Sequence, residues 1–260
     1  MEVIDTHSHF NLHQFEHDQS DAIARMVEGR VGTFCVGVDL ETSDIAMRLA
    51  QNYESIWSIV GQHPTEWEKE FSVIDFKKLA TSPRVVAIGE CGLDYFREHD
   101  RTGIEKQKEL FIAHIRLAQE YDLPLMLHIR PSPGTMNAYE DALKILSTYK
   151  KEYPNLRGTA HFFIGNTDIA QQFLDLGFYI SFSGVITIFP EYENVVRFVP
   201  IDRILPETDA PFAAPIPYRG KRNEPAYVIE VVQKIAELKN LSIVETKAIL
   251  LQNTKTLFNI

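Results

Sequence analysis

Val3-Ile4-Asp5-Thr6-His7-Ser8-His9 is the stretch from which the fold can be read. Val3–Thr6 is a short apolar and β-branched run of the kind that forms a buried strand, and it leads into two histidines one residue apart. Residues i and i+2 of a strand point to the same side, so both imidazoles are expected to face inward, within reach of one cation. A bare H-x-H pair is a weak signal, because solvated histidine pairs at sheet edges are common. Here the pair directly follows an apolar strand and precedes a loop, which favours the ligand reading.

The same arrangement recurs along the chain. Strand-like runs are expected at Thr33–Val38, Ser55–Gly61, Arg84–Gly89, Leu125–His128, Arg157–His161, Phe178–Ser181 and Arg203–Glu207. Stretches with helical spacing lie between them: Asp18–Glu28, Glu41–Gln51, Ser72–Ala80, Gly103–Tyr121, Met136–Tyr149, Asn166–Leu176 and Tyr192–Phe198. Pro225–Lys239 follows the last strand, and Ser242–Gln252 reads as an extra terminal helix. Asp18 or Ser20, Thr42 and Asn166 stand where helix N-caps belong, and Gly177 where a C-cap belongs. Eight βα units of about 32 residues each suit a (β/α)₈ barrel, although an open doubly wound sheet has the same alternation.

The strand ends separate the two. His7 and His9 end the first run, His63 follows the third, and Glu90, His128, His161 and Asp209 close the fourth, fifth, sixth and eighth. In a barrel all these carboxyl ends meet on one face, where the active site of the fold lies; in an open sheet most are too far apart to share an ion. The expectation is α/β, a TIM barrel, with residues 1–260 forming a single domain. No low-complexity segment, repeat or Gly/Ser linker divides the chain. The proline-rich Ala210–Arg222, with its basic Arg219-Gly220-Lys221-Arg222 tip, reads as a surface loop within the last βα unit.

Composition agrees with this. An apolar fraction of 45% and a charged fraction of 24% over 260 residues are ordinary for a globular chain that buries its core without staples. The two cysteines, Cys35 and Cys91, form no framework and fit a reducing cytoplasm. No targeting segment and no apolar stretch near the ~20 residues of a membrane span is visible. A net charge of −10 argues against a protein that coats duplex DNA. It leaves open a pocket where two divalent cations supply the local positive charge.

Glu90 follows Arg84-Val85-Val86-Ala87-Ile88-Gly89, too apolar for an exposed strand, so its carboxylate needs a cationic partner, either an arginine or a metal. A carboxylate can bridge two cations through its two oxygens and an imidazole cannot, which makes Glu90 the expected bridge. Singly, His128 and His161 would read as satisfied core residues; their coincidence with His7, His9, Glu90 and Asp209 reverses that reading. Asp209 has the short side chain suited to ligation and to taking a proton from water. His13, His17 and His99 in polar loops and His114 in a helix are expected to be no ligands.

Taken in order, several motifs resemble the TatD family of metal-dependent DNases, within the amidohydrolase-like superfamily. They are Asp5-Thr6-His7-Ser8-His9-Phe10, Gly61-Gln62-His63-Pro64, Gly89-Glu90-Cys91-Gly92-Leu93-Asp94-Tyr95, His128-Ile129-Arg130, His161-Phe162-Phe163, Glu207-Thr208-Asp209-Ala210-Pro211 and Arg219–Pro225. The resemblance implies a TIM barrel with two divalent metal ions and a 3′-to-5′ exonuclease activity on DNA, best on single strands. It implies His7, His9, Glu90 and Asp209 around one ion and Glu90, His128 and His161 around the other, with His63, Asp94 and Arg130 near the substrate phosphate. Catalysis falls to Glu90 and Asp209. The ligand types suit zinc, manganese or magnesium. Two departures from the pattern, Cys91 and Phe162, are expected to point away from the ions by strand alternation, and the His128–Gly134 loop is less typical.

Substrate contacts are expected from aromatic residues in the strand-end loops, Tyr95-Phe96, Phe162-Phe163 and Tyr218, with Arg219, Lys221 and Arg222 on the backbone of a single strand. The rival readings are a hydrolase of small esters, amides or phosphotriesters with the same ligands, and a barrel that has lost its chemistry and only binds.

Overall fold

The computed structural model describes residues 1–260. Its eight strands are β1 (Val3–Ser8), β2 (Val31–Val36), β3 (Ile56–Val60), β4 (Val85–Asp94), β5 (Leu125–Arg130), β6 (Gly158–Ala160), β7 (Tyr179–Phe182) and β8 (Ile204–Pro206). All pair in parallel and in chain order. A bridge between Ser8 and Ala210, with Asp209 N–H donating to the His7 carbonyl (2.9 Å) and His9 N–H to that of Ala210 (2.7 Å), joins the last strand to the first. The seam therefore closes at the rim that carries His7, His9 and Asp209.

Nine helices surround the sheet: α1 (Gln19–Glu28), α2 (Leu40–Asn52), α3 (Val73–Ala80), α4 (Arg101–Glu120), α5 (Asn137–Glu152), α6 (Thr167–Asp175), α7 (Glu193–Phe198), α8 (Val228–Lys239) and α9 (Ile243–Phe258). Each expected element is present, and the fold is the expected single-domain TIM barrel. One cap differs. Asp39, not Thr42, is the N-cap of α2; Thr42 sits three residues on and returns the hydrogen bond, a capping box with the partners exchanged. Asn166 caps α6 through the Ile169 N–H, and Gly177 takes the left-handed conformation after it (φ 80°). No helix is long and apolar enough to cross a membrane.

Strand alternation divides the apolar residues in two. Ile4, Phe34, Ile59, Met126 and Leu205 fill the barrel. Val3, Cys35, Val60, Ile88 and Leu127 pack outward under the helices. Phe258 of α9 lies against Phe34 (ring centroids 4.7 Å), and Asn253 of the same helix donates to the carbonyls of Ile201 and Ile204 where β8 begins. α9 thus covers the end of the barrel opposite the carboxyl rim.

The register shifts at three places; one lies low in the barrel, between Ser58 and Ile59 against β4, and the other two serve the rim. On β1 the register against β2 shifts between Asp5 and Ser8, and on β4 the register against β5 shifts between Ile88 and Cys91. In each case three steps on one strand oppose two on its neighbour, a β-bulge that re-aims the residues after it. Ile88 faces the helices, yet Glu90, two residues on, faces the barrel axis. Gly89 makes this possible: φ is 150°, and a Cβ there would lie 2.4 Å from the Met126 carbonyl oxygen.

Candidate metal centre

The bulges bring His7, His9, Glu90, His128, His161 and Asp209 together at the carboxyl rim. Glu90 lies at the centre, buried, and its two oxygens face different partners. Oε2 is 3.5 Å from Nε2 of both His7 and His9. Oε1 is 2.7 Å from His128 Nδ1 and 3.0 Å from His161 Nε2. The partners of this carboxylate are imidazoles rather than an arginine.

The first cluster fits one ion closely. His7 Nε2 and His9 Nε2 are 3.3 Å apart, and each lies 3.7 and 3.5 Å respectively from Asp209 Oδ1. Four donors arranged tetrahedrally at about 2.0–2.2 Å from a cation are roughly 3.3–3.6 Å from one another. Around Oε1 the donors lie at hydrogen-bond distance. The triplets of mutually close donor atoms are His7–His9–Asp209, His7–Glu90–His161 and His63–Glu90–His128, so His161 stands close to His7 as well as on Glu90 Oε1, the oxygen it shares with His128. The rings of His7 and His161 stack at 3.7 Å.

Hydrogen bonds behind the rings set which nitrogen is free. His9 Nδ1–H donates to the Val36 carbonyl (3.1 Å), His161 Nδ1–H to Glu207 Oε1 (3.0 Å), and His128 Nε2–H to Asp94 Oδ2 (3.1 Å). Each bond points the opposite nitrogen at Glu90 and fixes the nitrogen that would ligate a metal once its own proton is displaced. His63 is built the other way. Its Nδ1 accepts the Thr65 N–H (3.2 Å), so Nε2 carries the proton and points into the cleft, 3.7 Å from Glu90 Oε1. His63 is thus arranged as a donor. Burial, with the charge of His128, pushes its pKa down to about 3, so it donates as a neutral ring.

Both carboxylates are held ionised. Burial pushes Glu90 up, but the charge of His161 foremost, with the hydrogen bond from His128, overcomes this and leaves it well below the usual carboxylate range. Burial likewise raises Asp209, and the His9 hydrogen bond with the charges of His161 and His7 brings it below its ordinary value. Two anionic carboxylates faced by imidazole nitrogens form a donor set for divalent cations, which on binding would displace the protons those rings now share with Glu90.

Above this centre opens a cleft of about 590 Å³, lined by His9, His63, Glu90, His128, His161 and Asp209 at its floor. Arg130, the last residue of β5, lines it and stacks over the Phe96 ring (3.8 Å) instead of pairing with a carboxylate. Other expected contacts lie elsewhere. Asp94 is fully buried beneath His128, with Oδ1 taken by the N–H groups of Phe96 (3.1 Å) and Arg97 (2.9 Å). Tyr95 is also buried, its hydroxyl donated to Asp141, because it follows Asp94 on the outward side of β4. Phe163 is core, and Tyr218 stacks on Tyr227 at 3.7 Å. Arg222 is committed to Asp18 and Glu224, and Arg219 sits outside the cleft near Phe189. Cys91 does point away into the core, but Phe162 turns toward the cleft.

The sequence reading passed over Glu207 and Asp5 as working residues. Glu207 holds His161, and Asp5 accepts the Thr208 N–H (2.7 Å) and hydroxyl (2.8 Å) across the seam next to Asp209. Their signal is the spacing: each stands two residues before a member of the donor cluster. Arg97 and Phe212, both lining the cleft, carry no such signal.

A parallel β/α barrel with His, Glu and Asp donors gathered at its carboxyl rim defines a metal-dependent hydrolase of the amidohydrolase-like kind. Comparison with known proteins gives the family. The model described as TatD related DNase matches residues 4–259, and the chain belongs to this family. It is 38% identical over 265 residues to the uncharacterized metal-dependent hydrolase YabD of Bacillus subtilis, covering 99% of each chain. It is 33% identical over 260 residues to the 3′-5′ ssDNA/RNA exonuclease TatD of Shigella flexneri, covering 95% of each. Among solved structures, the TatD homologue YJJV of Escherichia coli superposes with a TM-score of 0.89 at 30% identity, over 100% of this chain and 98% of that one.

Proposed function

We propose that the protein is a two-ion phosphodiesterase that removes nucleotides from the ends of DNA, a 3′-to-5′ exonuclease favouring single strands. The observation that carries the reading is Glu90, whose two oxygens serve two different groups of donors. His7, His9, Asp209 and Glu90 Oε2 would hold one divalent ion; Glu90 Oε1, His128 and His161 would hold the second. Magnesium, manganese and zinc all suit the set. The relative named as a 3′-5′ ssDNA/RNA exonuclease supports the choice of substrate.

When bound, such a pair supplies acidified water and positive charge for a phosphoryl group. The remaining work falls to side chains. Asp209, ionised and lining the cleft, takes the proton of the attacking water at its carboxylate. His63 Nε2–H and the guanidinium groups of Arg130 and Arg97 face the same space and orient the phosphate, each meeting charge on its oxygens. Asp94 and Glu207 hold His128 and His161 with the opposite nitrogen toward Glu90, placed to ligate once its own proton is displaced. Cys35 and Cys91, both free and buried, suit a cytoplasmic protein.

The test is a substrate screen of purified protein supplied with Mg²⁺, Mn²⁺ or Zn²⁺, comparing single-stranded DNA, duplex DNA, RNA and small esters. Mononucleotides released from the 3′ end of single-stranded DNA are expected. Turnover of a lactone, amide or phosphotriester with no nucleotide released would overturn the reading in favour of a small-molecule hydrolase.

A further inference from the structure

The two sides of the cleft differ in chemistry, and the mechanism uses only one. The loops after β3 and β4 and the end of β5 contribute His63, Thr65, Glu66, Arg97 and Arg130, a polar and charged wall with two guanidinium groups. Loops after β6, β7 and β8 contribute Phe162, Ile164, Val185, Tyr192 and Phe212. The second wall is apolar and rich in aromatic rings, and the Tyr192 hydroxyl is the only polar side-chain group among these five.

Phe162 is held there against its backbone preference. Its φ is 45°, a left-handed conformation costly for a bulky side chain. The turn takes it out of the alternation of β6, which would have sent it into the core, and leaves the ring half-exposed in the cleft, 5.9 Å from that of His161. Its N–H is fixed by Glu207 Oε1 (2.7 Å), the same oxygen that holds His161. One buried carboxylate therefore sets both a ligand ring and an aromatic wall. Phe212 lies on the loop after β8, 47% exposed, with its ring 6.1 Å from that of His9. Large exposed rings beside a polar centre are costly unless something covers them.

We propose that this apolar wall is a seat for an unpaired nucleobase, gripped by Phe162 and Phe212 and indifferent to which base it holds. The inference rests on reading the centre as a nucleic-acid hydrolase, and it names the part of the substrate that the ions and arginines leave unheld. A nucleotide unit is itself two-sided, an anionic phosphate joined to a flat apolar ring system. The cleft offers a matching partner on each side of the donor cluster. Stacking tolerates any base, since each has a π face. Reading a base edge needs directed donors and acceptors, and a lone hydroxyl cannot distinguish four bases.

The experiment compares Mn²⁺-loaded protein acting on single-stranded oligodeoxynucleotides whose terminal residue is ordinary or abasic. Ordinary ends should be processed with kcat/KM about tenfold above abasic ends, and the four bases should agree within about threefold. Phe162→Ala and Phe212→Ala should each shrink the ratio of ordinary to abasic kcat/KM toward one, and Phe162→Tyr should restore it. Equal handling of ordinary and abasic ends by the unaltered protein would overturn the seat while leaving the exonuclease reading intact. A single base preferred by tenfold or more would overturn its indifference. If no strand is cut, the exonuclease reading fails, and calorimetry decides the seat alone. Tighter binding of deoxyadenosine 5′-monophosphate than of deoxyribose 5-phosphate, lost in Phe162→Ala, upholds it; equal binding removes it.

Discussion

Asp94 Oδ2 lies 3.1 Å from Nε2 of His128, while Oδ1 of the same carboxylate accepts the N–H groups of Phe96 and Arg97. Asp94 therefore joins an imidazole that faces Glu90 to the loop that carries the Phe96 platform under Arg130. Its place in the sequence suggested contact with substrate; its burial makes it a positioning residue.

This relationship predicts a selective defect in Asp94→Asn. The amide keeps an oxygen for the turn but presents N–H to His128 Nε2, which can then no longer be protonated. The proton moves to Nδ1, the nitrogen that faces Glu90 Oε1. Affinity for the second ion should fall about 10–100-fold while the first is retained. Equilibrium dialysis at a Mn²⁺ concentration that saturates the unaltered protein with two ions should find one. Two ions at unchanged affinity would refute the tautomer argument.

Glu90→Ala should eliminate turnover without unfolding the protein, because His128 and His161 keep Asp94 and Glu207 as partners. Stability supplies a second readout. An ion at a hundredfold excess over its Kd adds about 2.7 kcal/mol to the unfolding free energy. The unaltered protein should gain stability on titration with Mn²⁺ or Zn²⁺, and Glu90→Ala should gain almost none. Near-normal activity in this variant would mean that the bridge is elsewhere.

Arg222, expected from sequence to grip a nucleic-acid backbone, instead ties the loop after β8 to the start of α1. It donates to Asp18 through both terminal nitrogens (2.6 and 2.7 Å) and to Glu224 (2.9 Å), and Arg25 holds Glu224 from the other side. Arg222→Ala should lower stability by about 1–3 kcal/mol, the range for hydrogen bonds to charged groups, and leave KM within about twofold. A large rise in KM at unchanged stability would return Arg222 to the substrate.

The barrel and the clustering of side chains at its rim were legible because two periodicities coincide: β-branched runs at regular spacing, and one ionisable side chain at the end of most of them. Less legible was how those side chains come to face inward. Strand alternation alone sends Glu90 to the side of Ile88, and only the bulge at Gly89, required by the close approach of Met126, reverses it. The same assumption sent Phe162 to the core, because a left-handed backbone at a phenylalanine leaves no trace in composition. Tyr95 and Arg222 failed for a different reason. Their partners, Asp141 and Asp18, are 46 and 204 residues away, contacts that no local pattern contains.

His114 gives a pH dependence that can be isolated from the metal centre. It was expected to be no ligand, and in the structure its Nδ1–H donates to the Leu110 carbonyl (2.8 Å) while Nε2 accepts the Gln62 N–H (2.9 Å). That second bond anchors the segment leading to His63, and it requires a neutral ring. Burial accordingly pushes the pKa down from 6.5 to about 4. In the unfolded chain the imidazole takes its proton near pH 6.5, and in the folded protein only near pH 4, so the unfolded state binds more protons between these values. Stability from this group is therefore fully present above about pH 6.5 and is lost as pH falls toward 4, by about 3 kcal/mol in all. Urea unfolding of chelator-treated protein should become easier across this window. In His114→Gln the slope should be shallower by up to about 1.4 kcal/mol per pH unit, the contribution of one proton. His63 titrates in the same direction, so the comparison between the two proteins, rather than the raw curve, carries the result. Parallel curves would show that His114 accepts a proton in the folded state, and that the Gln62 bond does not hold it neutral.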